Sequence, residues 1–90
     1  MAGKRFDLGT IVQTPGISVL DPSGTQIRWL LDRHASGDWG LVPLDDAEEN
    51  EAALPEKGMV MSKYMINSRE VWIITDRGHA VTTVLLPSEY

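Results

Sequence analysis

The chain has 90 residues, 42% of them hydrophobic, with three Trp, no Cys and a formal net charge of −5. That length gives one domain with one modest core, and the missing Cys removes disulfides, thiolate zinc sites and thiol nucleophiles together. The negative balance argues against a general binder of nucleic acid or anionic membrane. No apolar run reaches the roughly 18 residues that span a bilayer, and Met1–Asp7 lacks the apolar core of a signal peptide, so a cytoplasmic protein is expected.

Residues 9–14, Gly-Thr-Ile-Val-Gln-Thr, read as a short strand. Pro15 and Gly16 then punctuate the chain. Ile17–Leu20 fits a helical turn or more strand, because so short an apolar run has no usable period. Asp21-Pro22-Ser23-Gly24 is a turn by composition. This N-terminal segment, residues 1–24, leads into a helical region, 25–56, and then a region of hairpins, 58–87.

Thr25 stands where an N-cap belongs, ahead of Ile27, Leu30, Leu31 and His34 at i, i+3, i+4 and i+7. Arg33 and His34 suit the last turn, where the helix dipole favours positive charge, and Gly37 supplies a left-handed stop. Gly37-Asp38-Trp39-Gly40 is a tight link carrying an indole. A second helix is predicted from Asp45, with Glu48 as capping-box partner, Leu44 as the hydrophobic residue before the cap, and Pro55 and Gly58 as the break. Ala47, Asn50 and Leu54 would face inward; Asp46, Glu49 and Glu56 would line the outer side.

The period then changes to two. Met59–Ile66 alternates, with Val60, Ser62, Tyr64 and Ile66 on one side. Asn67–Glu70 reads as a turn, Val71–Thr75 as a strand, Asp76–His79 as a second turn and Ala80–Leu86 as a further strand ended by Pro87. The predicted fold is α+β: two short helices packed on a three- to four-stranded antiparallel meander. Val71-Trp72-Ile73-Ile74 is apolar on both faces, and two helices can cover only one. The other face calls for residues 6–20, a partner or a second copy in a homodimer.

Between Asp38 and Glu56 lie seven acidic residues (Asp38, Asp45, Asp46, Glu48, Glu49, Glu51 and Glu56) and no Lys or Arg. That is seven of thirteen carboxylates in a fifth of the chain, enough to set up a field that repels nucleic acid and attracts basic protein. An acidic helix that only keeps the protein soluble explains the same residues. The binding alternative uses all seven as a partner-binding surface that imitates nucleic-acid charge, with Trp39 as an aromatic anchor. Asp45, Asp46, Glu48 and Glu49 lack the spacing of a calcium loop, and two His without Cys make a poor zinc set, so no metal or cofactor is expected.

Catalysis has one thin candidate. His79 sits in a hairpin turn beside Arg77 and ahead of Thr82 and Thr83, a set that fits a small ribonuclease-like toxin. A solvated turn followed by β-favouring threonines accounts for the same residues. His34, on the apolar side of a helix end, reads as a packed histidine.

An ordered set of motifs runs through residues 25–90: Gly37-Asp38-Trp39-Gly40, Asn50-Glu51, Ser62-x-Tyr64, Val71-Trp72-Ile73-Ile74-Thr75, Asp76-Arg77 and Thr82-Thr83-Val84-Leu85-Leu86-Pro87-Ser88-Glu89-Tyr90. The set resembles a group of short bacterial proteins common on plasmids and other mobile elements, some of which carry a label as a type I restriction subunit. Gly78-His79 departs from it. The resemblance implies no catalytic residues, but it does imply a setting, mobile DNA facing host defence. In size and charge the chain is similar to anti-CRISPR and anti-restriction inhibitors. The expected function is therefore a non-enzymatic acidic inhibitor. It would block a basic nucleic-acid-binding surface of a CRISPR or restriction complex, with no direct contact to nucleic acid or membrane.

Overall fold

A computed structural model describes residues 3–90. The chain runs β1 (Thr10–Gln13), α1 (Pro15–Leu20), α2 (Thr25–Ala35), α3 (Leu44–Ala53), β2 (Val60–Ile66), β3 (Arg69–Thr75) and β4 (Val81–Leu85), with 3-10 turns at Leu54–Glu56 and Pro87–Glu89. The class is α+β. Pro15 at the first helical position resolves the ambiguity at Ile17–Leu20 in favour of helix.

The four strands form one sheet in the order β1-β4-β3-β2. β2, β3 and β4 are the expected antiparallel meander, with Ser62 opposite Ile73 and Ile73 opposite Val84. β1 corrects the expectation: it pairs parallel to β4, from Thr10–Val81 to Gln13–Val84, so the sheet is mixed. The three helices and the β2–β3 hairpin together make the long connection that parallel neighbours require. The first hairpin turns on Asn67 and Ser68 alone, at φ 49° and 64°, so Arg69 and Glu70 belong to the ladder, opposite Ile66 and Met65.

The helix ends also differ from expectation. Thr25 is the first helical residue rather than the cap. The free N–H of Ile27 is taken by the buried carboxylate of Asp21 at 2.9 Å, reaching across the turn. Gly37 does stop α2, at φ 86°, and Asp38 N–H donates to Arg33 C=O at 2.9 Å. α3 begins at Leu44, one residue early, because Pro43 holds φ near −59° and its carbonyl accepts the first bond, from Ala47 at 3.0 Å. Asp45 therefore lies inside the first turn without capping it, the box with Glu48 does not form, and Leu44 is 73% exposed.

Ile17, Ile27, Leu30 and Leu31 pack from the helices onto Tyr64, Ile66, Val71, Ile73 and Val84. A second cluster joins Phe6, Trp39 and Val60, flanked by Ala47 and Leu54. Asn50 is buried, as the inward side of α3 requires. Residues 6–20 do not cover the far face of the sheet. Phe6, Leu8 and Ile17 pack with the helices, and Thr10–Gln13 lengthens the sheet sideways. On that face Ile74 and Leu85 are buried, Met61, Lys63, Trp72 and Thr83 are half-buried and Met65 is exposed, with the Tyr90 ring 5.6 Å from Trp72. Among the described residues no helix is long and apolar enough to cross a membrane.

Candidate protein-binding face

The acidic block divides into carboxylates paired with the chain's own arginines and carboxylates without such a partner among the described residues. Arg33 Nε donates to Asp38 Oδ2 at 2.7 Å, and the same carboxylate takes Gly40 N–H at 3.2 Å. The Arg33 hydrogen bond is the main reason the Asp38 carboxyl titrates below its ordinary range. Glu51 accepts two bonds from the Arg5 guanidinium, at 2.7 and 2.9 Å, and a third from Trp39 Nε1 at 3.0 Å. Arg5, then Trp39, lower its carboxyl in the same way. Trp39 itself is 6% exposed, its ring stacked 5.9 Å from Phe6. Trp39 therefore leaves the expected partner surface, while Asp38 and Glu51 stay exposed as ion-paired carboxylates. Asp38 and Glu51 are neutralised by the chain's own arginines, and Trp39 is a core residue.

Asp45, Asp46, Glu48, Glu49 and Glu56 remain. All five are exposed, and none takes part in an ion pair among the described residues. At 3.6 residues per turn, the four on α3 cover an arc of about 160° on its solvent side. The opposite side is fixed in place. Asn50 Nδ2 donates to Met61 C=O at 2.8 Å, and Met61 N–H donates to Asn50 Oδ1 at 3.1 Å. Gly40 completes the support. Its φ of 70° and the close approach of Lys63 C=O leave no room for a Cβ, and so Leu41 N–H reaches that carbonyl at 2.7 Å.

Between α3 and the start of β2 lies a groove of about 200 Å³, lined by Val42, Asp46, Glu49, Asn50, Met59 and Met61. Its lining combines two carboxylates and an amide with two methionines and a valine. Such a groove matches a Lys or Arg side chain, whose methylene stem seeks apolar contact while its head seeks an anion. Leu41, Leu44 and Met59, each more than half exposed, add apolar surface on the same molecule. Sequence reasoning missed Met59 and Met61. The alternation of β2 carried the signal, since it turns Met61 away from the buried Val60, Ser62 and Tyr64.

The histidines do different work from the catalytic alternative. His79 is 6% exposed, with Nε2 2.9 Å from Gly58 C=O and its ring 5.1 Å from Phe6. Thr82 is fully buried and donates to Leu8 C=O at 2.6 Å, while Thr83, its neighbour on the strand, projects from the opposite face. Arg77, His79, Thr82 and Thr83 thus do not converge on one accessible point. His34 lies at the centre of a buried chain of hydrogen bonds. Nδ1 meets Ser62 Oγ at 2.5 Å, Nε2 meets Thr75 Oγ1 at 2.9 Å, and Thr75 meets Thr82 at 2.8 Å. Because Thr82 donates onward to Leu8, Thr75 must donate to Thr82. His34 Nε2 then carries the proton, and Nδ1 accepts from Ser62. Burial holds the imidazole neutral, its pKa pulled down to about 3.

Among the described residues no group of three or more His, Asp or Glu side chains is arranged to hold a metal ion. Compared with known proteins, the chain matches no family model, no curated protein and no solved structure.

Proposed function

We propose that this chain is a non-enzymatic binding protein that presents the outer face of α3 to a Lys/Arg-rich protein surface. One observation carries the reading: Asp45, Asp46, Glu48, Glu49 and Glu56 face solvent without cationic partners among the described residues, while Asp38 and Glu51 in the same block are paired internally. A rigid helix with unspent negative charge speeds association with a basic surface and rejects acidic ones. The groove between Asp46, Glu49, Met59 and Met61 gives one partner side chain a defined seat.

The partner class follows from the charge and from the resemblance to mobile-element proteins. A basic groove that ordinarily holds nucleic acid, in a CRISPR or restriction complex of the host bacterium, is the surface we assign to it. The protein would act there as an anti-CRISPR-like inhibitor, competing with the nucleic acid. The test is phage or plasmid transfer into cells with an active defence system. The wild-type protein should restore transfer, and the double reversal Asp46→Lys/Glu49→Lys should abolish that protection while leaving the circular dichroism spectrum unchanged. Equal protection by both proteins would overturn the proposal.

A further inference from the structure

The two edges of the sheet are treated differently. On β2, the outward main-chain groups of Met61 are closed by Asn50, and those of Lys63 by Trp39 C=O at 3.2 Å and Leu41 N–H at 2.7 Å. Among the described residues β1 has no such cover. Thr10 and Thr14 donate toward β4, to Ala80 and Val84 C=O, so strand alternation turns the N–H and C=O groups of Ile11 and Gln13 to the outside, where no strand pairs with them. All four residues of β1 are exposed, with Ile11 at 49% and Val12 at 46%. Thr-Ile-Val-Gln also lacks the Lys, Pro or bulge with which edge strands are usually protected.

We infer that β1 is a homodimer interface, pairing antiparallel with β1 of a second copy about a twofold axis beside Val12. The free groups suit this reciprocally. Ile11 and Gln13 of one copy exchange both main-chain bonds with Gln13 and Ile11 of the other, making four hydrogen bonds, and the two Val12 side chains meet at the close, non-bonded position between them. Ile11 shares the helix side with Thr82, and Val12 shares the far side with Thr83, so pairing shelters apolar surface on both faces.

Charge leaves a second copy free to occupy this edge, and the twofold reciprocity of the free groups fits it. Each chain carries −5, which disfavours most self-contacts, yet β1 has no charged residue. The α3 carboxylates lie over β2, at the other end of the sheet. In the resulting eight-stranded sheet the two β2 strands stand about 34 Å apart at ~4.8 Å per strand. That is several Debye lengths of roughly 8 Å each. Repulsion between the acidic faces is therefore screened, and both stay open for partners, which would make the inhibitor divalent.

Sedimentation equilibrium across a wide range of protein concentration tests this, together with hydrogen exchange at the two ends of that range. The wild-type mass should rise from 10.0 kDa toward twice that value as concentration increases. The Ile11 and Gln13 amides should become protected only at the high end. Ile11→Pro removes an outward N–H without touching the β1–β4 ladder, and Ile11→Lys places a charge on the edge. Both should stay at the mass of one chain, and Ile11→Lys guards against a folding defect in the proline variant. Asp46→Lys/Glu49→Lys should dimerise as the wild type does, which separates this inference from the α3 reading. A wild type that stays monomeric throughout, or a dimer that persists in folded Ile11→Lys, would overturn it.

Discussion

Asn50 closes both main-chain bonds of Met61, so one side chain ties the middle of α3 to the edge of β2. The acidic arc faces outward because this amide faces inward. Removing it should cost more than an ordinary polar contact, since it would leave a donor and an acceptor of the strand without partners. Asn50→Ala is expected to lower the free energy of unfolding by about 1–3 kcal/mol. Urea denaturation reads the loss directly, and a change within experimental error would show that α3 is held by other contacts.

Trp39 is expected to behave as a core residue. Trp39→Ala empties the space between Phe6, Val60 and α3 and removes a hydrogen bond to Glu51. The expected cost is about 3–5 kcal/mol, seen as a large fall in melting temperature. Trp39→Phe keeps most of the apolar contact, so it should fold and retain binding. Loss of binding in a folded Trp39→Phe protein would restore the indole to the partner surface.

The buried imidazole predicts an acid weakness. In the unfolded chain His34 titrates near 6.5, and in the folded chain its pKa is held down to about 3. Between those values the unfolded state binds the extra proton. The stabilisation is therefore complete above pH 6.5 and is lost as pH falls toward 3, by up to about 1.4 kcal/mol per pH unit and on the order of 5 kcal/mol in all. The lowered Asp38 and Glu51 carboxyls add loss in the same direction, but closer to the ordinary carboxylate range. Urea denaturation of wild type and His34→Gln between pH 7 and pH 4 isolates the imidazole. The variant should be less stable at pH 7 and show a shallower fall, whereas parallel curves would contradict the assignment.

These expectations mix what the sequence reveals with what only the fold reveals. α2 is legible because Ile27, Leu30, Leu31 and His34 repeat with helical spacing and Gly37 marks the end. β2 is legible because Val60, Ser62, Tyr64 and Ile66 alternate. The outward carboxylates of α3 follow from the same helical geometry. β1 is different: Thr-Ile-Val-Gln specifies an extended segment but neither its neighbour nor its direction, which depend on β4, some 70 residues later. The Arg5–Glu51 pair, 46 residues apart, cannot be seen by counting charges within a window. Arg33–Asp38 was within reach of the sequence, since the left-handed turn at Gly37 folds Asp38 back onto the last turn of α2. The Asp21 cap lies six residues from its donor, beyond the spacing of ordinary capping patterns.

The outer face of α3 should tolerate change without loss of fold. Asp46 and Glu49 are exposed and, among the described residues, unpaired, so reversing both to Lys is expected to alter unfolding free energy by no more than about 0.5 kcal/mol per site. Thermal denaturation of the double variant measures this, and a collapse in stability would mean that these carboxylates have a structural duty.

The most direct measurement is capture from a host lysate at stepped salt, with wild type and Asp46→Lys/Glu49→Lys immobilised side by side. A nucleic-acid-binding defence complex should be retained by the wild type at low salt, released as ionic strength rises and displaced by added nucleic acid. It should be absent from the double variant. The same complex held equally by both proteins, indifferent to salt, would contradict the claim that the carboxylates of α3 make the contact.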